Sequence, residues 1–335
     1  MIKVAINGFG RIGRIAFRQL LTSSDFDVVA INSRNMDPES FAYLAKYDTV
    51  HGSFHEDEIS YDENSIVICG KKHVFVFNEE EPENLPWAML GVDLVLECTG
   101  AYNSNEGAMK HITAGAKKVL LSAPSKDEMP TVVANVNDSI LVSNPNIVSA
   151  SSCTTNCLAP VLKVLNDNIG IKKGFLTTIH AYTSDQNPLD NSHKKGIYSR
   201  RGRAAAENII PASTGAAKSI GLVIPDLKGK MDGMAYRVPT SDGSVIDVTL
   251  ELNRNVTIEE INDLFKKNQN ETLRYTDDPI VSSDVIGKKC GSTVDGKSTM
   301  IVESDGKQLV KVVAWYDNEY GYTAQMLRTA KKMFE

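Results

Sequence analysis

The strongest constraint on the fold lies at the start of the chain. "IKVAI" is a short β-branched run, glycines break it at "NGFG", "RIGRIAFRQLL" repeats apolar residues at helical spacing, and "DVVAIN" returns to a strand. Strand, glycine turn, helix and strand make a βαβ unit, in which the crossover helix carries the chain back so that the two strands run parallel. "DPESFAYLAKY" supplies the next helix, with Asp37 as cap and Pro38 in a first turn that has no use for its missing N–H. "SIVICGKKHVFVF" reads as a hairpin, and "VDLVLE", "KKVLLS" and "TVVANV" read as further buried strands.

From Cys153 onward the character changes. A long helix, "CTTNCLAPVLKVLND", precedes longer alternating strands such as "GFLTTIHAYT" and "GSVIDVTLEL", then a helix at "TIEEINDLFKKN" and a last one at "YGYTAQMLRTAKKMF". A chain of 335 residues accommodates two such domains. Its 42% hydrophobic and 23% charged residues are those of an ordinary folded protein. A net charge of -6 argues against a surface made chiefly for nucleic acid or for an anionic membrane, both of which need dominant basic charge. No run of about 18 apolar residues is present, and "MIKVAINGFG" reads as a strand rather than a secretory signal, so a cytoplasmic protein without membrane partners is expected. The five cysteines, Cys69, Cys98, Cys153, Cys157 and Cys290, are odd in number and scattered, which predicts free thiols.

"INGFGRIG" fits G-x-G-x-x-G with Gly8, Gly10 and Gly13, enclosing Phe9, Arg11 and Ile12, directly after a strand and at the start of a helix. The glycines permit a tight turn, close approach of a pyrophosphate and close packing of helix on strand, while the helix N-terminus faces the anion with free N–H groups. The expectation is an α/β Rossmann-type dinucleotide-binding domain, followed by an α+β catalytic domain with a mostly antiparallel sheet. The second strand ends "INSRN", so Ser33, after Asn32, stands where an acidic side chain would hold the adenosine ribose and select NAD. Serine does not repel a 2′-phosphate, and Arg34 beside it offers a charge-assisted contact, which favours NADP slightly; the alternative is NAD, with Arg34 a solvated charge.

"SASSCTTNCLAP" puts Cys153 in the first turn of a helix behind the natural cap Ser152, where free N–H groups and the helix dipole stabilise an anion, so a lowered thiol pKa is expected. Cys157, one turn deeper, reads as a small core residue. The histidines supply no spacing that would complete a zinc site, so no metal is expected, and a disulfide within one rigid turn of a reduced protein is disfavoured. His180 in "TTIHAYT" is the candidate base. Thr183, Asp185, Arg200, Arg201, Arg203, Thr214, Gly215 and Arg237 follow, and guanidiniums beside hydroxyls and glycine backbone suit phosphate.

These stretches, with "KYDTVHG", "GAKKVLLSAP", "IIPASTGAAK", "MAYRVPT" and "WYDNEYGY", closely resemble the phosphorylating glyceraldehyde-3-phosphate dehydrogenases from end to end. The resemblance implies a thioester mechanism: Cys153 attacks the aldehyde of glyceraldehyde 3-phosphate, His180 takes a proton as hydride leaves for the dinucleotide, and inorganic phosphate releases 1,3-bisphosphoglycerate. It implies Thr183, Asp185 and Arg237 around the substrate phosphate, and Ser152, Thr154, Arg201, Thr214 and Gly215 around the attacking phosphate. Thr99, Gly100, Ser122, Asn318 and Tyr322 would line the cofactor, Asn318 holding the nicotinamide carboxamide. It implies a dinucleotide domain of residues 1–151 completed by a C-terminal helix at about 319–335, a catalytic domain of 152–318, and a homotetramer.

Ser33, and Asn191 and Ser192 in place of a Leu-Pro pair, resemble NADP-accepting members, so Ser192 joins the cofactor candidates; Glu80 in "NEEEP" works the other way. Erythrose-4-phosphate dehydrogenase shares the thiol motif and is the neighbouring alternative. The basic stretch "HKKGIYSRRGR" raises RNA binding as a minor one, weighed against the acidic chain.

Overall fold

A computed structural model describes residues 1–335. The chain forms two compact units: residues 1–132, 138–151 and 326–335, and residues 133–137 and 152–325.

The first unit contains strands β1 (Ile2–Asn7), β2 (Phe26–Asn32), β3 (Ile59–Tyr61), β4 (Ser65–Ile68), β5 (Lys72–Phe77), β6 (Leu94–Glu97), β7 (Lys118–Leu121) and β8 (Ile147–Ser149). Its helices are α1 (Arg11–Leu21), α2 (Pro38–Lys46), α3 (Trp87–Leu90) and α4 (Asn105–Thr113). The strands form one sheet in the order β3-β4-β5-β2-β1-β6-β7-β8. It is parallel from β5 to β8, and β3, β4 and β5 pair antiparallel, the last two being the expected hairpin. Alternate residues of β1 and β6 enter different cores. Val4, Ile6, Leu94 and Leu96 pack with Phe17 of α1 and with Met326, Leu327 and Ala330 near the chain end; Ala5 and Val95 pack with Trp87, Ala108 and Val119. Burial on both faces explains why these strands read as nearly continuous apolar runs. Asp37 caps α2 as expected, its side chain accepting from the Ser40 N–H.

The second unit contains α5 (Cys153–Asn168), β9 (Ile171–Ala181), β10 (Ile210–Ser213), α6 (Ala216–Val223), β11 (Met231–Val238), β12 (Ser244–Leu252), α7 (Ile258–Lys267), β13 (Leu273–Thr276), β14 (Ser292–Asp295), β15 (Met300–Ser304) and β16 (Lys307–Tyr316). Its sheet runs β10-β11-β9-β12-β16-β14-β13, with β15 also on β16, and is antiparallel apart from the β11–β9 and β13–β14 pairs. The core lies on one face, where Leu158, Leu162, Ile220 and Phe265 of the helices meet Leu176, Ile246, Val248, Val312 and Ala314. The last helix, α8 (Tyr320–Lys332), begins in this unit, and its residues from Met326 belong to the first.

One expected strand is absent. "TVVANV" makes a single bridge, Thr131 to Ser149, and then turns. The Asn137 carboxamide accepts from the Val133 N–H at 2.9 Å, and Asn135 is left-handed at φ 64°. An asparagine side chain that bonds nearby backbone competes with ladder pairing, and it wins here.

Candidate active site

In the first unit a cleft of about 370 Å³ opens at the carboxyl ends of β1, β2 and β6, lined by Asn7, Gly8, Phe9, Gly10, Asn32, Ser33, Arg34, Asn35, Glu79, Glu80, Cys98, Thr99, Ala101 and Tyr102. Ligands of open parallel sheets bind at this end of the strands. Gly8 has φ 97°, and a Cβ there would stand 2.7 Å from the Thr99 nitrogen; a Cβ on Gly13 would stand 2.0 Å from the Gly8 carbonyl. Gly10 caps α1 without a side-chain hydrogen bond, and no acidic residue occupies the first turn. The result is a helix N-terminus suited to a phosphate.

The other cofactor candidates of this unit divide. Ser33, Arg34, Asn32, Phe9 and Thr99 line the cleft. The Arg11 side chain instead forms a two-pronged ion pair with Asp48, and Ile12 packs against the core, leaving their backbone to the glycine turn. Burial works to raise the Asp48 carboxyl, but Arg11 and the N–H groups of His51 and Val50 outweigh it and hold it at about 2. Gly100 is left-handed at φ 73°, and the Ser122 N–H bonds the Glu97 carbonyl at 3.0 Å. Arg34 pairs with Glu80 at 2.8 Å across exposed surface, so the guanidinium offered to a 2′-phosphate already has a carboxylate partner. Sequence reasoning passed over Asn7, Glu79 and Tyr102 in the wall and Glu97 and His111 beneath it; an Asn before the glycine turn and a Glu closing a strand of apolar residues were the available signals.

In the second unit Cys153 opens α5, capped by Ser152, whose hydroxyl accepts from the Thr155 N–H at 3.1 Å. His180, near the end of β9, puts Nε2 3.4 Å from the Cys153 sulfur. With Nδ1–H donating to the Ala181 carbonyl at 2.7 Å, Nε2 is the free acceptor facing the thiol. The ring stands edge-on to Tyr316, whose hydroxyl lies 3.0 Å from Thr154 Oγ1 and 2.9 Å from Thr178 Oγ1. Cys157 is fully buried, 3.6 Å from the Ser292 hydroxyl, as a core residue.

The thiol does not behave as its helix position suggests. Burial pushes it up, against the pull of Arg237 and of the Thr154 hydroxyl and N–H. Burial, with Arg237 and Arg201, holds His180 down at about 3. The reason is one of magnitude: a helix terminus contributes about 0.3–1 kcal/mol to a nearby charge, whereas removing a charge from water costs several kcal/mol. The resting pair is a neutral thiol facing a neutral imidazole.

Arg237, paired in register with His180 across β11 and β9, directs Nη1 to Thr183 Oγ1 and the Ala181 carbonyl, each at 3.1 Å, and lies 3.0 Å from His180 Nδ1. Its Nε is buried without a hydrogen-bond partner. Asp185 accepts from Thr183 and is paired with half-buried Arg201; burial raises it, and those contacts bring it below its ordinary value. Arg200 is exposed, and Arg203 pairs with Asp190. Thr214 and Gly215 stand at the start of α6, where Thr214 Oγ1 accepts from the Ala216 N–H. Asn318 is buried and accepts from the Ser244 hydroxyl at 2.6 Å, Tyr322 is buried, and Ser192 is exposed, its N–H bonded to the Asn191 side chain.

Comparison with known proteins agrees with this geometry. The family model described as glyceraldehyde 3-phosphate dehydrogenase, C-terminal domain, matches residues 152–318, and the NAD binding domain of the same family matches residues 2–105. The chain is 55% identical over 329 residues to a glyceraldehyde-3-phosphate dehydrogenase of Clostridium pasteurianum, covering 98% of this chain and 97% of that one. It is 50% identical over 330 residues to one of Streptococcus pyogenes, with the same coverage. A glycine-turn dinucleotide cleft, a capped cysteine against a strand histidine, and similarity across nearly the whole chain lead to one conclusion: the chain belongs to the glyceraldehyde-3-phosphate dehydrogenase family.

Proposed function

We propose that the protein oxidises glyceraldehyde 3-phosphate with inorganic phosphate to 1,3-bisphosphoglycerate, with Cys153 as nucleophile and His180 as acid and base. The observation that carries this reading is the 3.4 Å approach of His180 Nε2 to the Cys153 sulfur beside Arg237. The Cys153 sulfur adds to the aldehyde carbon, and its proton passes by way of His180 to the carbonyl oxygen, giving a hemithioacetal. His180 then removes the hydroxyl proton, leaving a thioester on Cys153. A bound dinucleotide supplies the acceptor for the hydride lost from that carbon. A phosphate oxygen attacks the thioester, the carbon–sulfur bond breaks, and His180 returns the proton to the thiolate.

Arg237, with its buried partnerless Nε, and Thr183 are the residues we assign to the substrate phosphate, with Asp185 holding Thr183 and Arg201. Ser152, the Thr154 backbone, Arg201, Thr214 and Gly215 are assigned to the attacking phosphate. Gly8, Gly10, Gly13, Ser33, Arg34 and Thr99 would hold the dinucleotide, and Asn318 its carboxamide. Ser33 supports acceptance of NADP beside NAD, with Glu80 limiting what Arg34 contributes. The sheet face of the second unit opposite its helices exposes Phe175, Met234, Met300, Val302 and Leu309. An apolar sheet face of this kind supports self-association, and we propose a cytoplasmic homotetramer.

Steady-state assays with glyceraldehyde 3-phosphate, NAD and NADP, with and without phosphate or arsenate, test the reading. Turnover that requires the anion supports it; turnover indifferent to the anion, or preference for erythrose 4-phosphate, refutes it.

A further inference from the structure

Asn32, Asn7 and Glu97 close three neighbouring strands and stand in register across the sheet, directly under the cleft. All three are buried, Glu97 completely, and so are His111 and Trp87. The directions of the hydrogen bonds among them are fixed, and both arms run toward Glu97, because the groups at the two outer ends cannot reverse. At one end the Glu79 backbone fixes the Asn32 carboxamide: its N–H donates to Asn32 Oδ1 at 2.9 Å, and its carbonyl accepts from Nδ2 at 3.0 Å. Asn32 Nδ2 therefore donates to Asn7 Oδ1 at 2.7 Å, and Asn7 Nδ2 must donate onward to Glu97 Oε2 at 2.6 Å. At the other end the Trp87 indole, a donor only, bonds His111 Nδ1 at 3.1 Å. His111 then carries its proton on Nε2 and donates it to the same Glu97 oxygen at 3.1 Å. The 3.4 Å approach of Asn7 Nδ2 to His111 Nε2 is that of two donors drawn to one acceptor.

The second Glu97 oxygen accepts from the Thr99 N–H at 2.7 Å and from the Thr99 hydroxyl, which in turn accepts from the Ala101 N–H at 3.0 Å. Four donors converge on one side chain, and only a carboxylate, which accepts and has nothing to donate, satisfies them all. One arm of this centre holds the residue before Gly8, and the other holds the Thr99–Ala101 turn around left-handed Gly100. Gly8 and Thr99 are also the pair whose backbones approach so closely that a Cβ on Gly8 would collide.

We propose that Glu97 is a positioning residue for dinucleotide binding: a buried carboxylate, oriented through His111 and Trp87, that ties the glycine turn to the Thr99–Ala101 turn and presets the wall between them. It touches no reacting atom, and its effect belongs in affinity rather than in the chemical step. This inference rests on the dinucleotide reading of the cleft.

The test compares the unaltered chain with Glu97→Gln, His111→Leu and His111→Gln. In Glu97→Gln an amide nitrogen must face either the Asn7 and His111 donors or the Thr99 donors. NAD affinity, read by fluorescence titration, and KM for the dinucleotide should each worsen about tenfold or more, with kcat at saturation within about threefold and Cys153 alkylation by iodoacetamide, without dinucleotide, within about twofold. His111→Leu should weaken affinity several-fold, and His111→Gln, whose amide can both accept from Trp87 and donate to Glu97, should recover most of that loss. The histidine pair carries the test by itself if Glu97→Gln does not fold. Wild-type affinity in Glu97→Gln, a fall in kcat at unchanged KM, or equal losses in the two histidine variants would overturn the positioning role while the dinucleotide reading stands. An unaltered chain that binds neither NAD nor NADP would overturn that reading and this inference with it.

Discussion

The two units build their sites in different materials. In the first, the cleft is mostly backbone: glycines that admit an anion, a helix N-terminus, and strand ends whose polar side chains brace the turns from below. In the second, the site is side chain throughout, with Cys153 on a helix, His180 and Arg237 on adjacent strands and Thr183 just beyond, set on a sheet whose register fixes their spacing. A backbone site gives a ligand little to select beyond shape and charge, which suits a dinucleotide shared by many enzymes. A side-chain site allows each group its own degree of burial, and here burial decides which groups carry charge.

Substitutions should separate the two. Cys153→Ser removes the nucleophile and should lower kcat by about 10⁴-fold or more while dinucleotide affinity stays within about twofold. Cys157→Ser, in the same helix, should keep most of the activity, and comparable losses in both would erase the division between nucleophile and core residue. Arg237→Leu should raise KM for glyceraldehyde 3-phosphate about 100-fold, and because Arg237 pulls the thiol down, it should also slow iodoacetamide alkylation of Cys153 near neutral pH. In the unaltered chain alkylation should keep rising above the pH at which an ordinary thiol has levelled off. A plateau near neutrality would show instead a depressed thiol.

The first unit should respond more gently. Asp48 titrates near 2 in the folded chain against 3.8 as its ordinary value, so its contribution is complete above the unfolded value and is lost as pH falls through the folded one. That is worth about 2 kcal/mol, read by denaturant titration between pH 5 and about pH 2, and Asp48→Asn should remove the corresponding slope. Ser33→Asp should move the ratio of kcat/KM for NADP over NAD by about tenfold toward NAD without changing Cys153 alkylation. An unchanged ratio would separate Ser33 from coenzyme choice.

The alternation of elements, the glycine turn and the capped cysteine were legible in the sequence because each depends on short-range spacing; His180, 27 residues on, was a candidate base whose contact with Cys153 only the tertiary structure brings about. The bridge and turn at Thr131–Asn137 were not, because a β-branched run is ambiguous until the Asn137 carboxamide chooses between ladder and turn. Nor was the Arg34–Glu80 ion pair readable as geometry, although Glu80 stood out as unhelpful to a phosphate.

By itself the order of amino acids determined where most helices and strands form, where an anion meets free N–H groups, and which sulfur heads a helix, since those follow from steric rules acting over a few residues. Tertiary structure alone decided the sign of the Cys153 shift and the direction of the hydrogen bonds converging on Glu97. Both depend on how much water is excluded and on which donors arrive from distant strands and helices, and neither is a property of any one stretch of chain.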